Sequence, residues 1–298
     1  VGSVTEDLGI TPAIQWSFDN TLAPIIDDTQ VDYTTASLVA DGITTNSALT
    51  SRHTITTIGT TSYATKGGYN ALRLGANYRQ QLGYKPHIEV LDGTSADNMW
   101  KGDNNMFMAE NTFEIDVYFD GSLPTTEGTI LGYYASSANE ILMWSRVSSS
   151  HAWRFAAGFW YVNATPNRVQ YFMNKTIEPN TWYNIKITTI PTGSGWKMKC
   201  YINDEFVEGE AAGTGIAIDS TYDNAVRNRD ALEHVNSPTE SVMMLGGRYN
   251  SITNTSIGET CYVRNLKMYP GYLVESSPPP QPPSLAYDGI TNLKITGA

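Results

Sequence analysis

The chain has 298 residues, of which 41% are hydrophobic and 16% are charged, and its formal net charge is −11. It has ample apolar material for a large core, and Thr, Ser, Asn and Gly are predicted to take the place of charges on its surface. Its basic clusters are at most two residues long, which argues against binding to nucleic acid or to an anionic membrane surface. Its apolar runs are too short for membrane insertion.

Short alternating segments between turn residues predict an all-β sandwich or jelly roll. Residues 27–65 are rich in Thr, Ser, Asp and Ala and are predicted to form an insertion of edge strands and loops. The only helix-compatible segment is about 223–233, and 92–110 is predicted to be a long loop. The predicted strands are 13–18, 54–58, 71–74, 111–120, 128–134, 140–146, 153–162, 169–173, 182–190, 196–202, 206–207, 242–245 and 261–269.

The strand at 111–120 organises this pattern, because its side chains alternate without a break. Residues on a strand point to opposite faces with a period of two. One face is fully apolar and is predicted to be buried; it carries Phe113, Ile115, Val117 and Phe119. The other face carries three polar side chains in line, Glu114, Asp116 and Tyr118. The main functional question is whether this polar face is a catalytic site, a binding surface or simply a solvated side of the sheet.

The C-terminal segments are predicted to form an arm. Residues 275–284 are rich in proline and are expected to be stiff and extended. The tail 285–298 is too short to fold alone, and its alternating apolar residues predict a strand added to this domain or to a neighbouring subunit. The alternative is a connector to a further domain. Because the chain begins at Val1 without Met or a leader, we expect a processed product or a fragment.

Cys200 and Cys261 are the only cysteines. Cys200 alternates in phase with Trp196, Met198 and Ile202, which predicts a buried position on a strand. Both a disulfide between the two and a pair of buried thiols are consistent with the sequence.

A series of motifs occurs in order along the chain. They are WSFD at 16–19, NALRL at 70–74, TFEIDVYF at 112–119, TWYNIKI at 181–187, KCYINDE at 199–205, LGGR at 245–248 and YVRNLKMY at 262–269. In this order they resemble the laminin G-like, concanavalin A-like lectin/glucanase superfamily. The resemblance covers about residues 13–274 and implies a jelly-roll sandwich of two antiparallel sheets, which we take as one domain of residues 1–274. It leaves function open, because this superfamily holds lectins, adhesion modules, hydrolases and lyases.

Catalysis is disfavoured by the residues that stand at the family's catalytic positions. Laminarinase-type hydrolases carry a nucleophile and an acid/base carboxyl on one strand, about 5–5.5 Å apart. Glu114 and Asp116 match the first two acidic positions, but Tyr118 and Phe119 occupy the slots of the third. Asp120 lies at a turn and is a poor replacement. The Gln-Ile-His signature of the lyase branch is absent from the sequence, so we expect a non-catalytic protein.

A structural calcium ion is an expectation of the resemblance alone. Many family members bind one between an early acid and carbonyls near the closing strand, and Asp19 and Asn265 stand at those positions. Arg264 and Asn265 replace the family's two closing acids, so main-chain carbonyls would have to supply several of the six to eight oxygen ligands. The alternative is that Asp19 only caps a turn.

Glycan binding requires aromatic faces for pyranose rings, with amides and carboxylates for hydroxyl groups. The alternative for any aromatic residue is the core, which is where we place Trp16, Trp153, Trp182 and Trp196. The predicted glycan-binding residues are Trp100, Asp97, Asn98 and Asp103 in the long loop, and Glu114, Asp116, Tyr118 and Trp160 on strands.

The sequence therefore predicts a non-catalytic, lectin-like adhesion or decoration module on an extracellular, cell or virion surface. Its expected partners are a cell-surface or extracellular polysaccharide and, through the 276–298 arm, a neighbouring subunit. One alternative is a structural subunit of a fibre, filament or capsid without a glycan ligand. The other is a polysaccharide hydrolase or lyase with a displaced active site.

Overall fold

The structure is a computed structural model. It describes residues 11–34, 38–39, 42–53, 55–75, 77–82, 111–124, 128–135, 139–146, 154–160, 168–192, 195–211, 222–223, 241–246 and 260–269. The strands are β1 Ile14–Trp16, β2 Ile25–Ile26, β3 Ile55–Gly59, β4 Tyr63–Lys66, β5 Tyr69–Leu74, β6 Tyr78–Leu82, β7 Asn111–Phe119, β8 Gly128–Ala135, β9 Asn139–Arg146, β10 Arg154–Trp160, β11 Arg168–Thr176, β12 Trp182–Thr192, β13 Gly195–Ile202, β14 Glu205–Phe206, β15 Gly209–Ala211, β16 Tyr222–Asp223, β17 Ser241–Leu245 and β18 Cys261–Tyr269.

The strands form two antiparallel sheets, which confirms the predicted all-β architecture. The first has ten strands in the order β14-β13-β12-β7-β18-β1-β2, with β5 also pairing with β18, β4 pairing with β5, and β16 pairing with β13. The second has eight strands in the order β15-β11-β10-β9-β8-β17-β6-β3. Strands distant in sequence are neighbours in both sheets, as in β7 between β12 and β18, so most pairings are non-local.

The core lies between the sheets and is centred on β7. The inward residues of β7, from Phe113 to Phe119 at every second position, are at most 4% exposed, as the alternation predicts. Phe119 of the first sheet packs against Phe155 of the second at 6.3 Å between ring centroids. Phe155 also meets Tyr183 of β12 edge-on at 5.6 Å. Aromatic contacts of this kind join the two sheets into one sandwich.

The 27–65 segment contains a helix, so the prediction of edge strands and loops alone is wrong. Helix α1 spans Asn46–Arg52, and Thr45 caps it by accepting a hydrogen bond from the Ala48 amide. A 3-10 turn at Asp28–Gln30 precedes it. The helix has only two turns and mostly polar residues, so the sequence shows no helical repeat of apolar residues that would have predicted it. The cap and the complete burial of Leu49 stabilise this helix locally.

The two cysteines are free, buried thiols, which resolves the alternative left open by the sequence. Cys200 lies on β13 and Cys261 begins β18, both in the first sheet. Burial raises the pKa of each thiol well above its ordinary value.

Several predictions concern residues outside the described ranges. They are the loop at 92–110, the linker at 275–284, the tail at 285–298 and almost all of the helix-compatible segment at 223–233. Asp223, the first residue of this helix-compatible segment, belongs to strand β16, which pairs with β13. Within the described ranges, the helices are too short and polar to cross a membrane.

Candidate functional site

The polar side of β7 is buried. Glu114, Asp116 and Tyr118 are each only 7% exposed, although they point away from the core between the sheets. Longer side chains from the two neighbouring strands cover them. Glu114 lies between Lys186 of β12 and Lys267 of β18 in the register, and Asp116 lies between Asn184 and Arg264.

Glu114 is held by three groups. Its Oε2 accepts a 2.6 Å hydrogen bond from the Tyr269 hydroxyl, and its Oε1 accepts bonds from Asn184 Nδ2 at 2.9 Å and Lys267 Nζ at 3.1 Å. Burial alone would raise the pKa of Glu114. The Tyr269 hydrogen bond, the charges of Lys267 and Lys186, and the Asn184 amide outweigh burial and hold the pKa below its ordinary value. Glu114 is therefore a stabilised carboxylate.

Asp116 is held just as closely. Its Oδ1 accepts from Asn184 Nδ2 at 2.8 Å, and its Oδ2 accepts from Asn265 Nδ2 at 2.9 Å. Arg264 Nε lies 2.9 Å from Oδ2 without hydrogen-bond alignment, so this contact is an ion pair. An irregularity in β18 between Arg264 and Lys267, with Asn265 at φ +51°, allows consecutive residues to reach the same carboxylate.

The carboxylates on and around β7 are matched by cations. Besides the two pairs already described, Lys186 binds Asp204 and Lys66 binds Asp120. Each carboxylate of β7 thus has a cation from a neighbouring strand. A face that is acidic in the sequence of β7 becomes electrically neutral when β12, β18 and β4 assemble around it.

Aromatic side chains cover the end of this network. Trp182 packs on Tyr118 with 5.1 Å between ring centroids, and its Nε1 donates to the Lys66 carbonyl at 3.0 Å. Tyr69 meets Trp182 edge-on at 6.3 Å and is 51% exposed. The Arg264 guanidinium stacks 3.6 Å from the Tyr69 ring centroid and 4.8 Å from that of Trp182. We call Tyr69, Trp182 and Arg264 the Tyr69 surface.

A glycine turn places Tyr69 beside Trp182. Gly67 and Gly68 connect β4 to β5 with φ values of +54° and +86°, a tight hairpin that favours glycine at both positions. A Cβ on Gly67 would lie 2.8 Å from Trp182 Nε1. The hairpin therefore packs directly against the indole ring, and only glycine permits this approach.

The structure separates the predicted site residues. Trp100, Asp97, Asn98 and Asp103 lie outside the described ranges. Trp160 ends β10 in the second sheet, whereas Tyr118 lies in the first. Glu114, Asp116 and Tyr118 do come together, but beneath other side chains. Their role in binding stays a prediction. At this end of the face, the exposed Tyr69 ring and the half-buried Trp182 form an aromatic surface.

Trp182 corrects one expectation, since it was assigned to the core. The side chains of Tyr183, Ile185 and Ile187 point inward from β12, so Trp182 shares the outward phase with Asn184 and Lys186. This alternation is visible in the sequence, and it determines the direction of the Trp182 side chain even though the indole is largely apolar. Trp16 is fully buried, as predicted. Tyr69 has no sequence signal of its own, because its position depends on the hairpin meeting β12.

The residues expected to bind calcium have other partners. Asp19 Oδ1 accepts a 2.9 Å bond from Asn70 Nδ2, and Asn265 directs its amide nitrogen to Asp116. Among the described residues, no group of three His, Cys, Asp or Glu side chains is placed to hold a metal ion. A guanidinium is not a calcium ligand, so Arg264 cannot replace the closing acid, whereas the amide oxygen of Asn265 could still serve as a ligand. Calcium binding stays a prediction.

Comparison with known proteins gives only distant likenesses. No protein-family model matches the chain, and no curated protein matches its sequence. Domain 4 of AbnA, a GH43 extracellular arabinanase from Geobacillus stearothermophilus in complex with arabinotriose, is 14% identical with a TM-score of 0.48; the match covers 89% of this chain and 95% of that domain.

Two further solved structures are similar in parts. Trypanosoma rangeli sialidase in complex with sialic acid is 12% identical with a TM-score of 0.46, covering 88% of this chain but only 31% of the sialidase. The Ruminococcus gnavus IT-sialidase CBM40 bound to α2,3-sialyllactose is 8% identical with a TM-score of 0.35, covering 57% of this chain and 80% of that one. With every one of these TM-scores below 0.5, the likenesses carry no functional argument.

Proposed function

We propose that this protein is a non-catalytic, lectin-like module that binds a glycan through the Tyr69 surface. The exposed Tyr69 ring beside Trp182 supports this proposal most directly. Aromatic rings with a fixed orientation offer a flat apolar face to a pyranose ring at little entropic cost. The Arg264 stack and the Gly67–Gly68 hairpin hold these rings in place before a ligand arrives.

The state of the β7 carboxylates argues against glycosidase chemistry. A general acid in a glycosidase needs a raised pKa so that it is protonated at working pH. Glu114 has a lowered pKa and is committed to Lys267 and Tyr269. Asp116 is committed to Arg264, Asn184 and Asn265. Neither carboxylate is therefore poised for proton transfer or nucleophilic attack.

The location and the assembly of the protein form part of the same proposal. A polysaccharide ligand and a surface poor in charges fit an extracellular, cell-surface or virion-surface protein, with the 276–298 arm contacting a neighbouring subunit. A chain truncated after residue 275 should then lose self-association in sedimentation experiments while keeping glycan binding. Unchanged association of the truncated chain would contradict the role of the arm.

A glycan array with the full chain and three variants tests the binding surface. Tyr69→Ala should weaken binding about 3- to 10-fold, as expected for losing an aromatic contact of about 1 kcal/mol. Phe206→Ala is the matched control, because Phe206 is 43% exposed on β14 at the far edge of the same sheet. Trp100→Ala tests the loop predicted from the sequence.

The outcomes separate the alternatives. Weaker binding with Tyr69→Ala alone supports the Tyr69 surface, whereas loss with Trp100→Ala alone transfers the site to the loop and contradicts it. No bound glycan in any array would count against a lectin. Release of reducing sugar that disappears in Glu114→Gln would establish a hydrolase instead.

A further inference from the structure

Resting on the proposed function, we infer that the ligand of the Tyr69 surface is a neutral glycan, and that sugars bearing a carboxylate are excluded. The decisive feature is that the cations in contact with this surface and its support are held in ion pairs with carboxylates. A sugar carboxylate, as in a uronate or sialate group, binds most strongly to an arginine or lysine that can form a charge-assisted hydrogen bond with it. Near the Tyr69 surface, Arg264, Lys267 and Lys66 are each paired with a carboxylate.

Arg264 is the cation that stacks on the rings of this surface, and it is already paired with a buried carboxylate. Its guanidinium plane stacks on Tyr69 and Trp182, and its Nε lies against Asp116. A sugar carboxylate that bound Arg264 would compete with Asp116, which is almost completely buried. Weakening the pairing of a buried charge carries a large free-energy cost.

Lys267 and Lys66 are committed in the same way. Lys267 donates to Glu114 at 3.1 Å, and its side chain is about three-quarters buried. Lys66 donates to Asp120 and lies over the Tyr262 ring at 4.9 Å. The Gly67–Gly68 turn beside Tyr69 adds only uncharged main-chain groups. The formal net charge of −11 further opposes the approach of an anion.

The surface therefore combines the exposed Tyr69 ring and the half-buried Trp182 with a cation whose charge is already neutralised by Asp116. Such a surface favours sugars that bind by stacking and by hydrogen bonds from hydroxyl groups. In this arrangement Arg264 is a positioning residue, which orients the Tyr69 ring from beneath and does not itself recognise the ligand.

The test is an array of matched glycans that differ only by a carboxylate, such as galactose-terminated and sialylated chains, or neutral hexose and uronate oligomers. The full chain is measured at about 0.05 M and 0.5 M NaCl, which shortens the Debye length several-fold. We expect binding to the neutral members, an affinity that changes less than about twofold with salt, and at least about tenfold weaker binding to acidic partners.

Preferential binding of acidic glycans, or an affinity that falls about tenfold at high salt, would overturn the inference while leaving the lectin proposal intact. No binding to either class would instead contradict the proposed function.

A pair of charge variants tests the stated cause. Asp116→Asn removes the partner of Arg264 and should raise relative binding to acidic glycans several-fold. Glu205→Gln is the control, because it changes net charge equally at an exposed residue that pairs with Lys175 on the β14 side. An equal gain in both variants would show that long-range charge, and not the commitment of Arg264, excludes the carboxylate. If Asp116→Asn does not fold, the salt comparison on the full chain decides.

Discussion

Replacing Tyr269 by phenylalanine removes the shortest hydrogen bond to the buried Glu114 carboxylate without changing the packing of the ring. The bond is 2.6 Å long, and both residues are more than 90% buried. A hydrogen bond to a charged group contributes about 1.5–3 kcal/mol to stability. Glu114 keeps Lys267 and Asn184 as partners, so the carboxylate is not left unpaired. We therefore expect a loss of about 2 kcal/mol in the free energy of unfolding at pH 7.

The pH dependence of this loss identifies the charged bond. The pKa of Glu114 is held below its ordinary value of 4.5, so its charge contributes stability that is present above that value and is lost as pH falls through the lowered one. Once Glu114 is protonated, Tyr269 donates to a neutral acceptor, where a bond contributes only about 1 kcal/mol. The effect of Tyr269→Phe should therefore shrink between about pH 5 and pH 3.

Urea unfolding followed by tryptophan fluorescence measures both quantities. Tyr118→Phe is the matched control: Tyr118 is similarly buried on the same face, but its hydroxyl lies 3.4 Å from Asn180 Oδ1. A contact of that length contributes little, so the control should lose less than about 0.5 kcal/mol. Equal losses in the two variants, or a Tyr269→Phe loss independent of pH, would refute the account of Glu114 as a stabilised carboxylate.

Two further predictions concern the hairpin and the thiols. Gly67→Ala should cost about 2–3 kcal/mol and shift tryptophan emission, because the new Cβ meets Trp182 in a left-handed conformation. Gly68→Ala, with open space around its Cβ, should cost only about 1 kcal/mol, and equal effects would argue against the Trp182 contact. Cys200 and Cys261 should resist iodoacetamide in the native protein at pH 8 and both react in denaturant; two thiols that stay unreactive after unfolding without reductant would indicate a disulfide.

The strands were predictable because their signal is local. The alternation in β7 from Phe113 to Phe119 requires a buried face whatever its neighbours are, and the inward phase of Ile185 and Ile187 does the same for β12. The helix at Asn46–Arg52 was missed because its stability depends on a cap and one buried leucine instead of a periodic stripe.

The candidate site was only partly predictable. The sequence shows that Glu114, Asp116 and Tyr118 share a face, but their partners come from residues about 70 to 155 positions away. The Tyr69 surface likewise joins a hairpin to β12 and β18. Contacts at such separations depend on strand order, which alternation within a single strand does not specify.

By itself, the sequence determined that this chain forms an all-β sandwich and which side of each long strand enters its core, because side-chain direction on a strand follows from the two-residue repeat. Only the tertiary structure decided what happens on the outer side of β7. Because β7 lies between β12 and β18, lysine, arginine and tyrosine side chains contact Glu114 and Asp116, the two carboxylates that resemble a catalytic pair in the sequence alone. Coulomb attraction and hydrogen bonding between non-local residues turn that acidic row into a neutral, buried support, and the exposed Tyr69 surface lies at its end.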